Sequence, residues 1–452
     1  MAGGKTSTNR SIEAQIPIYF TLVIDLKIVY KADMKFTSLN LIDPILTAVQ
    51  AEGYESPTPI QQQAIPLVLA QKDVLACAQT GTGKTAAFAL PMLQLLSTIP
   101  ARSTPGRPIR ALILTPTREL ASQINDSFIK YGKGLSLRTQ VIFGGVGQNP
   151  QVKALRQGVD ILVATPGRLI DLMRQRLVNL QGLEIFVLDE ADRMLDMGFI
   201  HDVRRVIAVL PKIRQTLFFS ATMPPEIRKL SEQILRQPTR IEVTPVSTTA
   251  EKIDQSIYFV EKKQKTGFLI QLIKKMEVQR GLVFTRTKRE ANRVSEDLNK
   301  SGIRSEAIHG NKSQSARERA LANIKSGKCQ ILVATDIAAR GIDIDQVTHV
   351  FNHDIPDVAE SYVHRIGRTA RAGCTGVAFS FCSNEERPSL AGIERLIRLK
   401  IKVLPTPAGL PIEKKAFSAR RGKPPALPQS TARKRPRRNR NPKQNSRFNP
   451  PG

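Results

Sequence analysis

The sequence predicts an α/β protein with two tandem lobes, each built on a parallel β-sheet, followed by a disordered basic tail. Short β-branched runs alternate with helical patterns from about residue 36, and a second series of the same kind begins near residue 256. Strands and helices that alternate at this spacing form parallel βαβ units. After about Pro405 the composition changes to Pro, Lys, Arg, Asn and Gln, which bury too little apolar surface to order a chain.

Each lobe contains five apolar runs that we predict as strands. They are residues 73–78, 111–114, 160–164, 185–188 and 216–219 in the first lobe, and 256–260, 282–284, 330–334, 349–351 and 377–381 in the second. The pentapeptide Ile-Leu-Val-Ala-Thr at 161–165 recurs at 331–335. A repeat supports a duplicated lobe, although five residues also match by chance in β-rich chains.

Composition divides the chain into five segments. Residues 1–33 differ in composition from the two lobes, and we interpret them as an upstream extension or a start-site artefact, with an accessory strand or targeting arm as the alternative. Residues 34–243 form the first lobe and residues 253–405 the second. Between them, residues 244–252 contain Pro and hydroxyl residues without an apolar period, as expected of a linker. Residues 406–452 form the basic tail.

Charge and cysteine content limit the classes of function. The chain has 68 Lys and Arg against 39 Asp and Glu, a net charge of +29. Without the segment from Pro411 onward, 55 basic and 38 acidic residues remain, so the body itself carries +17 and favours polyanions, above all nucleic acid. The four cysteines form no CxxC pair, which argues against a zinc site or a disulfide framework and predicts buried thiols.

One apolar stretch, residues 16–30, invites comparison with a membrane helix. It contains Asp25 and Lys27, and it is shorter than the roughly 20 residues that a membrane helix needs. It also lacks the small-residue cleavage site of a secretory signal. We therefore expect a cytoplasmic protein.

A glycine-rich segment after the first predicted strand indicates a nucleotide site. Residues 78–85 read Ala-Gln-Thr-Gly-Thr-Gly-Lys-Thr, and a helical run covers 86–95. In such a loop the backbone N–H groups surround phosphates, the lysine reaches the β and γ oxygens, and the last hydroxyl holds Mg²⁺. We predict that ATP and Mg²⁺ bind here, through Thr80, Gly81, Thr82, Gly83, Lys84 and Thr85.

An apolar strand that ends in carboxylates lies later in the chain. Residues 185–188 run directly into Asp189, Glu190, Ala191 and Asp192. Beside a P-loop, Asp189 would bind Mg²⁺ and Glu190 would orient or deprotonate the attacking water. An acidic strand end seen alone is more often a solvated loop or a helix cap, so this interpretation depends on the glycine-rich segment.

Residues 189–192 are also the namesake motif of the DEAD-box RNA helicases, which the chain resembles from about Phe36 to Phe381. The resemblance implies two tandem RecA-like domains of the P-loop NTPase type, and an RNA-stimulated ATPase that unwinds or remodels RNA. Residues 220–222, Ser-Ala-Thr, resemble the family's coupling motif. In that motif, hydroxyls bond the acids of residues 189–192 and link hydrolysis to lobe closure, which implies coupling roles for Asp192, Ser220 and Thr222.

The resemblance also implies how the nucleoside is bound. Residues 53–61 resemble the adenine-reading Q motif, with Tyr54 where Phe is more usual. Gln61 would bond the adenine edge and Phe36 would stack on it. In the second lobe Asp343 would lie near the ribose.

Several segments resemble the family's RNA contacts. In the first lobe, N–H groups, a hydroxyl and an arginine after each strand can hold successive phosphates. The implied RNA-binding residues are Pro116, Thr117, Arg118, Gly145, Thr165, Arg168, Arg286, Gln314, Arg317 and Thr335. Because these contacts are to phosphate and sugar, RNA binding is expected to be largely independent of base sequence. Recognition of the 2′-hydroxyl would select RNA over DNA.

The second lobe has no P-loop and is expected to complete the site of the first. Residues 364–371, His-Arg-Ile-Gly-Arg-Thr-Ala-Arg, resemble the family's arginine-finger motif. This likeness would place Arg368 and Arg371 against the γ-phosphate when the lobes close, and it gives His364 a coupling role. The planar guanidinium matches phosphate oxygens and stabilises charge in the transition state.

The subgroup, the mode of action and the cellular role each have more than one interpretation. Residues 309–314 resemble the bacterial RhlE-like subgroup. An ATP-gated RNA clamp with little unwinding shares every catalytic residue, and a DNA helicase or translocase is disfavoured by the adenine-reading segment. Ribosome assembly, mRNA decay and cold adaptation are all compatible with the family. The tail would tether RNA through counterion release, or serve as a nuclear address in a eukaryotic host.

Replacing Arg371 with alanine should abolish ATP hydrolysis without weakening nucleotide binding, because the finger acts only when the lobes close. Lys84→Ala is the contrasting variant and should weaken ATP binding itself, since its ammonium group contacts the phosphates. Turnover and nucleotide affinity, measured on both variants, separate the two effects. Unchanged turnover in Arg371→Ala would remove the two-lobe mechanism.

Overall fold

The computed structural model describes residues 34–78, 81–98, 107–243, 253–339, 344, 347–369 and 376–406. This part contains two seven-stranded parallel sheets, which confirms the predicted α/β class. The first consists of β1 (Val74–Ala78), β2 (Ala111–Leu114), β3 (Thr139–Ile142), β4 (Ile161–Ala164), β5 (Ile185–Leu188), β6 (Gln215–Ser220) and β7 (Thr239–Val243). The second consists of β8 (Ile253–Phe259), β9 (Gly281–Thr285), β10 (Ser305–Ile308), β11 (Ile331–Thr335), β12 (His349–Asn352), β13 (Gly376–Cys382) and β14 (Lys402–Val403). The predicted N-terminal segment 1–33, the linker 244–252 and the tail beyond residue 406 lie outside the described residues.

Both sheets have the same strand order. It is β3-β4-β2-β5-β6-β1-β7 in the first lobe and β10-β11-β9-β12-β13-β8-β14 in the second. Each strand of the second sheet therefore stands where its counterpart stands in the first. The repeated pentapeptide falls on β4 and β11, which hold equivalent positions. The topology thus supports the duplication that the repeat indicated.

The strands that the sequence analysis missed are the four sheet edges, β3, β7, β10 and β14. A central strand is buried on both faces and forms an unbroken apolar run. An edge strand is only partly covered: in β7 the exposed Arg240 and Glu242 alternate with the buried Ile241 and Val243. Such a segment lacks the apolar run that marked the central strands.

Each sheet carries an apolar core on both faces. Along β2 the side chain of Ile113 joins one core and its neighbour Leu112 joins the other. The same alternation occurs in β9, where Val283 and Leu282 belong to different cores. This is the two-residue period of a strand, and it explains why helices must cover both faces.

Fifteen helices of the described part cover the sheets. In the first lobe they are α1 (Asp43–Ala51), α2 (Pro59–Leu69), α3 (Lys84–Thr98), α4 (Arg118–Tyr131), α5 (Asn149–Arg156), α6 (Pro166–Arg174), α7 (Ala191–Asp196), α8 (Ile200–Ile207) and α9 (Pro225–Ile234). In the second they are α10 (Lys265–Lys275), α11 (Lys288–Lys300), α12 (Gln314–Lys325), α13 (Asp336–Ala339), α14 (Ala359–Ile366) and α15 (Arg387–Ile397). Hydroxyl side chains cap several of them; those of Thr117, Thr287 and Ser313 accept a backbone N–H at the starts of α4, α11 and α12.

The helix α3 positions the nucleotide loop. It begins directly after that loop, and nearly all of its residues from Lys84 to Leu96 are buried. A helix that is apolar on every side belongs to the interior of a protein. The lysine at its first position is therefore held by the core of the lobe and not by a surface loop.

The apolar stretch of residues 16–30 lies outside the described residues, whereas three of the four cysteines lie within them. No helix in the described part is both long and apolar enough to span a bilayer. Cys329 and Cys382 are buried as predicted, but the prediction is wrong for Cys77, which is only partly buried. Cys77 lies near the carboxyl end of β1 beside the nucleotide loop, where its thiol donates to the carbonyl of Ala221 at 3.4 Å. Cys374 lies outside the described residues.

Asp73 provides a test of how the first sheet is held. Its carboxylate accepts hydrogen bonds from the backbone N–H groups of Thr216 and Arg236, each at 2.7 Å, and the residue is 7% exposed. Asp73→Ala leaves both donors without this partner, so we expect it to lower the free energy of unfolding by about 3 kcal/mol. Urea unfolding followed by circular dichroism measures the change. Asp126→Ala, on the exposed face of α4, is the matched control, and equal losses in the two variants would contradict the assignment.

Candidate functional site

Strand order brings three distant loops of the first lobe together. In the sheet, β6 lies between β5 and β1. The strand β1 leads into the glycine-rich loop, β5 leads into residues 189–192, and β6 ends at Ser220. The carboxyl ends of parallel strands share one edge of the sheet, which is where ligands of open α/β sheets bind.

Lys84 and Asp189 form the centre of this site. Lys84 is 6% exposed, and its Nζ lies 3.8 Å from Asp189 Oδ1. Among the described residues this Nζ has no hydrogen-bond partner. Burial raises the pKa of Asp189 to about 6, against the opposing effect of the Lys84 ammonium group. A buried ammonium that lacks a hydrogen bond needs an anionic partner, and a destabilised carboxylate needs a cation, so the pair fits a triphosphate with its Mg²⁺.

Glu190 has an uncommon backbone conformation and a buried ionic partner. Its φ of 54° and ψ of 50° lie in the left-handed region, which residues with a side chain rarely adopt. Its Oε2 accepts a hydrogen bond of 2.6 Å from Arg193 Nη1, and both side chains are 3% exposed. Conformations of this kind concentrate at functional sites. Arg193 was not among the predicted site residues, although its i, i+3 spacing from Glu190 on a helix could have indicated it.

The three predicted coupling residues of the first lobe are in direct contact. Asp192 Oδ2 accepts hydrogen bonds from both the N–H and the Oγ1 of Thr222, each at 2.9 Å. The N–H of Asp192 donates to Ser220 Oγ at 3.1 Å, and that hydroxyl donates to the carbonyl of Thr222 at 2.7 Å. Asp192 and Ser220 are buried. The loop after β6 cannot move without breaking these bonds or moving the acidic segment.

The predicted adenine residues border the nucleotide loop. Gln61 Nε2 donates to the carbonyl of Gly83 at 3.1 Å, and Gln61 Oε1 accepts from the N–H of Thr58 at 2.8 Å. Gly83 has a φ of 89°, and a Cβ there would lie 2.5 Å from Gln61 Nε2, so the contact requires glycine. Phe36 is buried and stacks on Tyr54, with ring centroids 6.4 Å apart. Contact of Gln61 and Phe36 with adenine stays a prediction.

Three predicted RNA residues of the first lobe converge on one turn. Gly145 has a φ of 79°, and the guanidinium of Arg118 lies so close that a Cβ would overlap it. Arg168 Nη2 donates to the carbonyl of Val146 at 3.1 Å. Two arginines beside an exposed turn provide the positive surface that a phosphate chain needs.

The other predicted RNA residues of this lobe are buried where a strand passes into a helix. Thr117 caps α4, since its Oγ1 accepts from the N–H of Leu120 at 3.4 Å. Thr165 stands at the N-cap of α6, and Pro116 precedes Thr117 in the chain. Their contact with RNA stays a prediction.

In the second lobe, Arg286 and Thr335 stand at the ends of neighbouring strands, β9 and β11. Arg286 Nη2 donates to the carbonyl of Ile355 at 3.0 Å and lies 3.3 Å from Glu386 Oε1. Thr335 is 8% exposed. Both residues lie at the carboxyl edge of the second sheet, the same edge that the first lobe uses.

The last residues of helix α14 are the first three of the predicted finger motif, and Arg365 anchors them. Arg365 bonds the Asp336 carboxylate at 2.5 and 2.7 Å, and its guanidinium lies 5.2 Å from the ring centroid of Phe284. His364 and Arg368 lie along the same helix end, with Arg368 5% exposed. Arg365 belongs to the predicted motif, but no role was predicted for it. Among the predicted site residues, Thr80, Asp343 and Arg371 lie outside the described residues.

Residues of both lobes meet in a polar cluster, which we call the interlobe cluster: Arg118 and Glu119 of α4, and Gln314 and Arg317 of α12. Arg317 Nε donates to Glu119 Oε1 at 2.8 Å, and Gln314 Nε2 donates to the same oxygen at 3.3 Å. Arg118 Nη1 lies 3.5 Å from Gln314 Oε1. Glu119 is 5% exposed, so its charge depends on partners from the other lobe.

Comparison with known proteins identifies the class. A model of the DEAD/DEAH box helicases matches residues 58–230, and a model of the helicase conserved C-terminal domain matches residues 264–373. An ATP-dependent RNA helicase named CshA, from Limosilactobacillus reuteri, is 44% identical over 374 residues, which are 83% of this chain and 74% of that protein. The chain belongs to the DEAD-box ATP-dependent RNA helicases. It is accordingly an ATPase that acts on RNA.

Two solved structures of one protein resemble this chain to different extents. A single-substitution variant of Dbp5 from S. cerevisiae, bound to RNA and ADP BeF3, is 32% identical and has a TM-score of 0.74 over 82% of this chain and 95% of that one. The same variant bound to Nup159, Gle1, IP6 and ADP has a TM-score of 0.58 at 32% identity, over 81% and 96% of the chains. This chain is therefore more similar to the first of these two structures.

The interlobe cluster should contribute to closure of the lobes on RNA. Glu119→Gln and Arg317→Gln should each weaken RNA binding in the presence of a nonhydrolysable ATP analogue by about tenfold, and the double variant should lose little more, because one ion pair joins them. RNA affinity measured by fluorescence anisotropy gives the coupling energy. Lys130→Gln is the control, because Lys130 lies on the same helix as Glu119 and its exposed ion pair is with Glu52 at the end of α1. Additive losses would mean that Glu119 and Arg317 act independently.

Proposed function

We propose that ATP binding closes the two lobes on RNA, that closure disrupts a short duplex locally or remodels a ribonucleoprotein, and that hydrolysis reopens the lobes. The observation that carries this proposal is the bonding of Asp192 to Thr222 and Ser220. It joins the acids that face the triphosphate to the loop after β6. A change at the γ-phosphate would therefore move a loop of the first lobe as well as the catalytic acids.

Each group of residues has a separate role in this scheme. Lys84 and the N–H groups of the glycine-rich loop hold the phosphates, and Thr85 and Asp189 hold Mg²⁺. When bound, Mg²⁺ neutralises charge on the β and γ oxygens. Glu190 orients the attacking water and accepts its proton, while Arg193 fixes the position of the carboxylate. Arg368 and Arg371 supply positive charge from the second lobe.

RNA would be bound along the edges where the strands of both sheets end. Arg118 and Arg168 from the first lobe, with Arg286 from the second, offer charge and hydrogen-bond donors to a phosphate chain. Contacts of this type tolerate sequence. ATPase stimulation by single-stranded RNA but not by DNA of the same sequence would support this proposal, and equal stimulation would contradict it.

A clamp that holds RNA without unwinding it would use the same residues. Displacement of a short RNA duplex by ATP, compared with a nonhydrolysable analogue, separates the two functions. We expect displacement with ATP and release of the protein after each turnover. Stable RNA binding without displacement would favour the clamp.

The cellular setting can be proposed from the same properties. Within the family we propose the RhlE-like subgroup, on residues 309–314 alone; the curated relative from Limosilactobacillus reuteri is named CshA. Sequence-tolerant binding and a basic tail suit large structured RNA, so we propose a role in ribosome assembly in the cytoplasm. Crosslinking in cells, with sequencing of the bound RNA, tests this role, and enrichment of messenger RNA over ribosomal precursors would contradict it.

Glu190→Gln separates nucleotide binding from hydrolysis. We expect ATP affinity within about threefold of that of the unchanged protein and hydrolysis reduced at least about a hundredfold, because the amide cannot accept the proton of the water. RNA should stay trapped in the closed state, seen as slower dissociation in the presence of ATP. Lys84→Ala is the contrasting variant, in which binding itself fails. Normal turnover in Glu190→Gln would remove the role assigned to this carboxylate.

A further inference from the structure

The second lobe contains a group of metal-ligand side chains that the ATPase reaction does not use. Glu290 lies in the first turn of α11, and His353 and Asp354 come directly after β12. His353 Nδ1 and one carboxylate oxygen from each acid all lie within 4.8 Å of one another. The nitrogen is 3.5 Å from Asp354 Oδ2 and 3.9 Å from Glu290 Oε1. One imidazole and two carboxylates thus converge on one point.

The orientation of His353 is fixed by its other nitrogen. Nε2 lies 3.1 Å from Thr266 Oγ1, within hydrogen-bond distance. His353 is 2% exposed, and its Nδ1 has no hydrogen-bond partner among the described residues. A histidine that bonds through one nitrogen and directs the other at carboxylates has the arrangement of a metal ligand, because the outer bond holds the ring in one orientation.

The charges around the group also favour a bound cation. Lys265 Nζ lies 2.6 Å from Glu386 Oε2 and 3.5 Å from Asp354 Oδ1, and Arg286 Nη2 lies 3.3 Å from Glu386 Oε1. The carboxylates of Glu290, Asp354 and Glu386 face these two basic side chains, and Arg286 Nη2 also lies 3.4 Å from Oδ1 of the exposed Asp357, so negative charges outnumber positive ones here. Leaving a charge unpaired in a largely buried cluster is strongly unfavourable. The Lys265 ammonium approaches Oδ1 of Asp354, whereas the oxygen that faces His353 is Oδ2.

We propose that Glu290, His353 and Asp354 bind a divalent transition-metal ion of the Zn²⁺ class. A nitrogen with two carboxylate oxygens suits Zn²⁺ or Mn²⁺, whereas Mg²⁺ prefers oxygen ligands alone. Tetrahedral Zn²⁺ places its donors about 3.3 Å apart, close to the shorter spacing here. Glu290 is 25% exposed and lies in the first turn of α11, so its side chain has room to close the remaining distance, and water fills the open position.

The position of the site gives the ion a structural effect. Asp354 Oδ2 also accepts the backbone N–H of Arg286 at 2.9 Å, and the Asp354 carbonyl accepts Arg365 Nη1 at 2.6 Å. The ion would join the start of α11 to the end of β12, beneath a predicted RNA residue and the finger helix. It should raise the thermal stability of the second lobe. Metal binding does not depend on the proposed function, since it is measured without ATP or RNA.

The test is a titration of Zn²⁺ into the full-length, metal-free chain by isothermal calorimetry, without nucleotide, together with the melting temperature. We expect one site and a higher melting temperature. His353→Gln should weaken binding at least about tenfold and abolish the thermal shift. His349→Gln, which alters a half-buried histidine at the start of β12, and Asp189→Asn, which removes the proposed Mg²⁺ ligand of the ATP site, should both keep the site.

A second variant tests the site independently, in case His353→Gln does not fold. Glu290→Gln changes a partly exposed residue, should fold as judged by circular dichroism, and should also lose at least about tenfold in affinity. The proposal is overturned if the unchanged chain binds no Zn²⁺. In that case a proton on His353 would balance the excess negative charge of the carboxylates. It is equally overturned if both variants bind Zn²⁺ as tightly as the unchanged chain.

Discussion

The loops that follow parallel strands all lie at the carboxyl ends of those strands. The nucleotide chemistry of this protein depends on which strands are neighbours in the sheet. The order β5-β6-β1 sets Lys84 beside Asp189 and Asp192 beside Thr222. Burying an ammonium group without a hydrogen bond is unfavourable unless a ligand supplies one. The core that encloses α3 therefore buries the Lys84 ammonium group where a phosphate can supply its missing hydrogen bond. The same core holds Lys84 and the glycine-rich loop in fixed positions.

The second lobe repeats the topology of the first without repeating its chemistry. Its matching strand order places Arg286 and Thr335 at the equivalent edge, but no P-loop stands there. The duplicated sheet contributes a second rigid scaffold that positions these residues. Glu119 of one lobe is buried against Arg317 of the other, so the closed arrangement satisfies a charge that opening would leave without this partner. The two lobes of the duplicated fold thus act together through the interlobe cluster, whose contacts need residues of both lobes.

Central strands and glycine-rich loops were predictable because their patterns are local. A strand buried on both faces must be apolar throughout, and a phosphate loop needs its glycines and lysine at fixed spacing. Edge strands such as β7 were missed because solvent on one side replaces half of the apolar pattern. No role was predicted for Arg365 for another reason: an arginine in a motif does not reveal its partner until the helix that carries it is placed. Arg193 lies outside the predicted motifs, and only its i, i+3 spacing from Glu190 pointed to the ion pair.

The sequence by itself determined the class of fold, the family and the residues that form the nucleotide loop, since periodicity and motif spacing depend on neighbours along the chain. Only the tertiary structure decided which of those residues meet. Glu119 and Arg317 are 198 positions apart, and Asp192 and Thr222 are 30 apart, yet each pair is in contact. Contacts at such separations depend on strand order and lobe arrangement, which the whole core fixes and no single segment encodes.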